Sequence, residues 1–122
     1  MDLDNFKAAN DHYGHQFGDT LLTAGASKLQ AHTRGTDCLA RIGGDEFCLL
    51  LPFRNTAALD HRISDIRAEF DKSFPIDGKA YVLGISIGYA IYSQAKDIPH
   101  LMQLADEAMY RDKACKLHHQ SE

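Results

Sequence analysis

Residues 38–51 read Cys38-Leu39-Ala40-Arg41-Ile42-Gly43-Gly44-Asp45-Glu46-Phe47-Cys48-Leu49-Leu50-Leu51. Two apolar arms flank a glycine pair, and Pro52 ends the second arm. The pattern predicts a hairpin with arms at 38–42 and 45–51, because Gly-Gly supplies the positive φ angles of a tight two-residue turn. That turn would set Glu46 opposite Arg41, where a cross-strand ion pair is reason enough for both residues. Downstream, Asn55 caps a helix predicted to run to about residue 72, with Leu59, Ile63, Ile66 and Phe70 on one face. A β-rich run over 81–92 follows. Asp97 then starts a last helix through about residue 116, with Leu101, Leu104, Ala108 and Met109 inward. Upstream, residues 1–4 read as the end of a strand and 5–13 as a short helix closed by Gly14. A second helix is expected over 19–33, with Asp19 at its start and Leu22, Ala26 and Leu29 at helical spacing. Two helices, a hairpin, a further helix, a strand and a last helix argue for an α+β sheet covered by helices.

The 122 residues suit one domain over 1–122. A hydrophobic fraction of 44% and a charged fraction of 25% are ordinary for a soluble globular protein. No apolar run reaches the roughly 18 residues that span a bilayer. Met1 is followed at once by acidic residues, which predicts no secretory leader and a cytoplasmic chain without membrane contact. The formal net charge of -4 argues against a nucleic-acid partner. A phosphate ligand would need local help from metal ions, backbone amides or a few lysines. Cys38, Cys48 and Cys115 form no spaced framework, so they read as free thiols in a reducing compartment. Neither cysteines nor histidines show metal-site spacing.

Two acidic features stand out. Asp2-Leu3-Asp4 lies at a strand end before a helix, and Asp45-Glu46 lies at the hairpin tip. Alternation along a strand puts Asp2 and Asp4 on one face. Were the stub and the hairpin neighbours, Asp2 and Asp45 could converge, and a hard divalent cation would relieve their repulsion. Magnesium suits such a site, because it takes one or two carboxylates plus substrate phosphates. Taken singly, an acidic strand end is commonly a solvated edge and Gly-Gly-Asp commonly a turn.

Taken together, the motifs are more specific. Arg41-Ile42-Gly43-Gly44-Asp45-Glu46-Phe47 resembles the motif that names the GGDEF family of diguanylate cyclases. Asp2-Leu3-Asp4-Asn5-Phe6-Lys7, Asn10-Asp11, Tyr13-Gly14-His15 and Gly18-Asp19 resemble that family's upstream block. Ser86-Ile87-Gly88 resembles its late strand. Ala105-Asp106, Ala108-Met109-Tyr110 and Lys113 resemble its last helix. The resemblance covers essentially the whole chain in order. It implies a fold like the palm of nucleotidyl cyclases and polymerases, and condensation of two GTP molecules into cyclic di-GMP with release of pyrophosphate.

The resemblance also implies roles. Asp2, the Leu3 carbonyl and Asp45 would hold two Mg²⁺ ions, or Mn²⁺. Asp45 would accept the proton of the attacking 3′-hydroxyl, Glu46 would assist at the metals, and Lys7 would stabilise the transition state. The amides of Asn5 and Phe6, at a helix start, suit phosphate oxygens, and Lys113 would bind substrate as well. Asn10 and Asp19 would read guanine, with His15 lining the pocket. A carboxylate accepts from guanine's adjacent N–H donors, a pair adenine lacks, and an amide can both donate and accept. Asp19 alone would otherwise read as a helix cap. Arg34-Gly35-Thr36-Asp37, at its offset before Gly43, resembles an allosteric product site, in which arginine's planar fork suits phosphate and guanine's acceptor edge.

Two GTP-loaded copies must face each other, which implies a catalytic homodimer, and an upstream sensor or regulatory domain is expected. The main alternative is a weak or inactive member that binds cyclic di-GMP or GTP as a regulatory module, with Arg34 and Asp37 holding the cyclic dinucleotide; the intact Asp45-Glu46 pair argues against it. The sequence departs from the family in two places. Leu117 stands where a phosphate-binding arginine is usual. The family normally has a helix and an apolar strand before the position of Asp2, and this sequence, starting at Met1, is expected to lack the helix and the start of that strand.

Overall fold

The hairpin forms, in a register of its own. In the computed structural model, which describes residues 1–76 and 78–120 with side chains through Lys116, strand β2 (Cys38–Arg41) pairs antiparallel with β3 (Phe47–Leu50). Arg41 lies opposite Phe47, and the Ile42 amide donates to the Glu46 carbonyl at 3.0 Å. The loop is therefore Gly43-Gly44-Asp45, one residue longer than expected, and neither Gly43 nor Gly44 is among the glycines with positive φ. The extra residue shifts the register by one, so Glu46 does not face Arg41. Arg41 instead closes the loop through its backbone, its Nε donating to the carbonyls of Gly43 at 3.0 Å and Gly44 at 3.1 Å. Leu117, His118 and His119 lie outside the residues whose side chains are described.

The order is β1 (Asp2–Leu3), α1 (Phe6–Tyr13), α2 (His15–Ala31), β2, β3, α3 (Thr56–Asp71), β4 (Phe74–Ile76), β5 (Lys79–Tyr81), β6 (Ile85–Ser86), a 3₁₀ turn (Tyr92–Gln94) and α4 (Ile98–Gln120). The architecture is α+β, with three two-stranded sheets, β1–β6, β2–β3 and β4–β5, in place of one broad mixed sheet. Apart from Tyr81, where the expected β-rich run begins, the hairpin β4–β5 lies in a segment with no predicted element. The expected strand over 81–92 is cut short. Gly84 sits at φ 74, in the left-handed region, and only Ile85–Ser86 beyond it are extended in a sheet.

Two compact units are present, Leu3–Ile85 and Met1–Asp2 with Ser86–Glu122. In the first, Leu21, Gly25 and Leu29 form the buried line of α2, one position off the expected Leu22 and Ala26. The helix begins at His15, not Asp19, so Asp19 is an exposed residue of its second turn and caps nothing. Gly25 matters by lacking a side chain, because a Cβ there would lie 3.2 Å from Leu3 Cδ1 and 3.4 Å from Leu83 Cδ2. Asn55 caps α3 as expected, its Oδ1 accepting from Ala58 at 2.8 Å. Leu59, Ile66 and Phe70 are buried on that helix, and the Phe70 ring packs on Phe74 with centroids 5.8 Å apart. Burying each such side chain is worth about 1.5–3 kcal/mol.

In the second unit, Asp97 caps α4 by accepting from the His100 amide at 2.8 Å, and Leu101 and Met109 are buried. The Ser86-Ile87-Gly88 strand end lies against α4. The Ile87 amide donates to Asp112 at 2.8 Å. A Cβ on Gly88 would collide with the Met109 amide nitrogen, and would come within 2.5 Å of the Ala105 carbonyl oxygen and the Ala108 carbonyl carbon. These are backbone atoms and cannot rotate away. Gly88→Ala should therefore lower stability by about 1–3 kcal/mol or more, whereas Gly35→Ala, where a Cβ meets nothing within 4 Å, should change it by less than about 0.5 kcal/mol. Thermal melts of both variants check this contrast.

Candidate functional site

Leu3 joins the acidic stub to the hairpin loop. Its amide donates to the Asp45 carbonyl at 3.0 Å, and the Asp4 amide donates to Gly84 at 3.2 Å. The Leu3 backbone thus lies against the loop that carries Asp45, within one unit. In the other unit, Asp2 is buried, with only 8% of its side chain exposed. Lys113 Nζ donates to Asp2 Oδ2 at 2.7 Å, while Oδ1 has no hydrogen-bond partner among the described residues. A buried carboxylate with one oxygen unsatisfied is costly, and this orphaned atom suits a hard cation. No group of three or more His, Cys, Asp or Glu close enough to hold a metal occurs among the described residues. That donor set fits Mg²⁺, which uses one or two carboxylates and completes its shell with water and phosphate, better than a metal wanting an all-protein cage.

The start of α1 has an unusual entry. Asn5 adopts φ 60 and ψ 8, uncommon for a residue with a side chain, and its carbonyl accepts from the Ala9 amide at 2.9 Å. The Tyr81 hydroxyl also donates to that carbonyl, at 3.4 Å. Burial pushes the Tyr81 phenol above its ordinary 10.0, with Tyr13 adding to the effect, so it stays a donor. The Tyr81 ring packs edge-on against Phe17 at 5.7 Å and Tyr13 at 6.4 Å, bracing the end of α1 and the start of α2. Lys7 is exposed in the first turn of α1, whose leading amides have no partner within the helix.

Three of the expected base-reading residues come together at the α1–α2 corner. Asn10 Nδ2 and His15 Nδ1 are 3.1 Å apart. His15 and Asp19 lie one helical turn apart on α2, and so on one face. Gly18 leaves room for Asn10, whose Oδ1 a Cβ at 18 would strike. Arg34 and Asp37 also meet, but unequally. The Arg34 amide donates to Asp37 Oδ2 at 2.8 Å and Arg62 Nη2 to the same oxygen at 2.7 Å, while the Asp37 side chain is only 1% exposed. Arg62 Nη2 further reaches the His32 carbonyl at 2.9 Å. Asp37 thus holds the loop together, and the Arg34 side chain is the exposed member of the pair. Arg62 and Tyr81 carry no sequence signal, because an arginine on a helix and a tyrosine at a strand end are read as surface residues.

The profile of the family described as "Diguanylate cyclase, GGDEF domain" matches residues 1–118. The chain belongs to the GGDEF family. It is 40% identical over 114 residues to the bifunctional diguanylate cyclase/cyclic di-GMP phosphodiesterase MucR of Pseudomonas aeruginosa, covering 93% of this chain and 17% of MucR. It is 39% identical over 113 residues to the diguanylate cyclase TpbB of the same species, covering 90% of this chain and 26% of TpbB. The chain thus spans about a quarter or less of these curated relatives. The solved GGDEF domain of TpbB superposes with a TM-score of 0.86 at 37% identity, over 93% of this chain and 67% of that one. The GGDEF domain of DgcB from Caulobacter crescentus, solved in complex with cyclic di-GMP, superposes at 0.81 with 27% identity, over 93% of this chain and 68% of that one. These neighbours share the palm-like GGDEF fold. Among the described residues, no helix is long and apolar enough to cross a membrane.

The Arg34–Asp37–Arg62 cluster predicts a pH dependence. The Arg62 guanidinium hydrogen-bonded to Asp37 holds that carboxyl below its ordinary 3.8, outweighing the opposite effect of burial, and the Arg34 amide adds to it. A depressed folded-state pKa stabilises the fold fully above about 3.8, and the contribution is lost as pH falls through the folded value. Asp37→Asn should destabilise the chain by about 1–3 kcal/mol at neutral pH. The gap between parent and variant melting temperatures should close as the pH is taken below that range. A gap independent of pH would show that the charge on Asp37 contributes nothing.

Proposed function

We propose that the chain is a catalytic GGDEF domain, condensing two GTP molecules into cyclic di-GMP and pyrophosphate. The observation that carries this reading is the buried, half-satisfied Asp2 carboxylate beside a Leu3 backbone bound to the Asp45 loop. Asp2, the Leu3 carbonyl and Asp45 would hold two Mg²⁺ ions, which when bound supply the charge neutralisation that phosphoryl transfer needs. Asp45 accepts the proton of the 3′-hydroxyl as that oxygen attacks the α-phosphorus of the partner GTP. Glu46, next in the chain, supports the metal ligands. Lys7 and the amides of Asn5 and Phe6 face the phosphates, and the Asn5 conformation, braced by Tyr81, sets the direction of those amides. Lys113 binds the triphosphate. Asn10, His15 and Asp19 orient guanine, which favours GTP over ATP.

The reaction joins two 3′-hydroxyls to two α-phosphates, so two copies must meet about a two-fold axis. The larger part of MucR and TpbB lies outside the matched segment, which is in keeping with a GGDEF domain that belongs to a longer protein carrying a sensor or regulatory domain. Incubation with GTP and Mg²⁺, followed by chromatography for cyclic di-GMP, tests the reading. The parent should form product from GTP and almost none from ATP, and Asp45→Asn should cut turnover by at least about 10²-fold, the usual contribution of a positioned base, while melting like the parent. Equal turnover by the Asn variant would reject Asp45 as base.

Product inhibition is proposed through Arg34, with Asp37 fixing the loop on which it stands. The complex of DgcB with cyclic di-GMP supports dinucleotide binding by this family. Arg34→Ala should raise the cyclic di-GMP concentration needed for half-inhibition by about tenfold, as loss of a charge-assisted phosphate contact does, and leave uninhibited turnover in place. Inhibition curves of parent and variant that coincide would remove Arg34 from the inhibitory site.

A further inference from the structure

Lys113 and Asp2 form an ion pair within one unit. Their 2.7 Å separation is at the short end for an ammonium–carboxylate bond. The two partners differ in freedom. Asp2 is 8% exposed and cannot leave, whereas Lys113 is 39% exposed and carries a flexible four-carbon stem. The backbone beneath that stem is held, because Lys113 lies inside α4 and its neighbour Asp112 receives the Ile87 amide at 2.8 Å. Rotation of the stem is therefore a way for the ammonium to leave Asp2 while the helix stays in place. The pair also leaves Oδ1 buried without a partner among the described residues, so one ammonium does not complete the carboxylate's needs.

We propose that Lys113 is a resident counter-ion for Asp2 that a divalent metal displaces, so that metal arrival frees its ammonium for the triphosphate. The inference rests on the metal-binding reading of Asp2 above. An ammonium 2.7 Å from Oδ2 and a divalent cation on the same buried carboxylate are like charges at close range. They exclude each other unless an anion takes up the lysine. A nucleotide triphosphate is that anion. Metal alone therefore meets a competitor at Asp2, whereas metal entering with GTP does not. The lysine opposes the metal in the empty chain and assists it in the nucleotide complex, which makes binding of the two ligands mutually reinforcing.

Mn²⁺ titrations of the nucleotide-free chain followed by electron paramagnetic resonance test this. Lys113→Gln should bind Mn²⁺ at least about tenfold more tightly than the parent, because a competing cation is gone. Lys113→Arg, which keeps the charge, should stay near the parent. Adding Asp2→Asn to Lys113→Gln should abolish the gain. If Lys113→Gln binds Mn²⁺ no more tightly than the parent while the double variant loses binding, displacement is wrong and the metal site stands. If the double variant binds as tightly as Lys113→Gln, Asp2 is not a ligand and the underlying reading fails. The unmodified chain gives a second readout independent of any substitution. Saturating Mg²⁺ without nucleotide should raise the rate at which an amine-selective acylating reagent labels Lys113, measured by mass spectrometry. An unchanged rate would overturn the proposal.

Discussion

The hydrogen bond from the Leu3 amide to the Asp45 carbonyl, 3.0 Å long, is the constraint on which the rest of the site depends. A two-residue strand has almost no stability of its own. It is held because its backbone is used on more than one side: Leu3 bonds the hairpin loop, Asp4 bonds Gly84, and the Leu3 side chain is buried against the space that Gly25 leaves open. Each contact depends on a different distant segment. The stub and the loop are therefore neighbours through contacts with α2, the hairpin and the segment around Gly84, not through local sequence alone.

The loop itself departs from ordinary two-residue turn geometry. A two-residue Gly-Gly turn would satisfy the strands, but it would place Asp45 within the ladder. The three-residue loop removes Asp45 from pairing and leaves its carbonyl for Leu3. The longer loop has carbonyls that the strands do not use, and Arg41 Nε takes those of Gly43 and Gly44. The arginine that sequence reasoning assigned to a cross-strand pair is thus a loop clasp. Its role follows from the register, which composition alone does not determine.

Much of the helical structure was legible because helices announce their ends locally. Asn55 and Asp97 cap the helices they were expected to cap, and the apolar spacing of α3 and α4 identifies the buried face. The failures come from long-range effects. Asp19 looks like a cap, but the chain turns at Gly14 and the helix starts earlier, at His15. The strand expected over 81–92 fails because Gly84 must take a left-handed conformation where Asp4 and Phe70 meet its backbone. The β4–β5 hairpin is only three residues per arm, too short for a period-two pattern to declare itself. The site residues were legible only through resemblance. An acidic strand end and a Gly-Gly-Asp turn are ambiguous until a buried, half-paired Asp2 shows that one carboxylate cannot be mere surface.

The Arg34–Asp37 pair shows how a short motif divides its work. The Asp37 side chain is 1% exposed and engaged by Arg62, whereas the Arg34 side chain is exposed, so the two residues are unequally available at this loop. Asp37 accepts from the Arg34 amide, not from the Arg34 side chain. The bond fixes the arginine's backbone and spends none of its guanidinium. Arg62 then compensates the buried charge and ties the loop to the His32 carbonyl at the end of α2. Removing Asp37 would therefore leave Arg34 present but on an unanchored loop. What the structure gives Asp37 is the part of a loop anchor, held by the Arg34 amide and by Arg62. The spacing of Asp37 from Arg34 suits the loop it closes, because, three residues on, it meets the Arg34 amide.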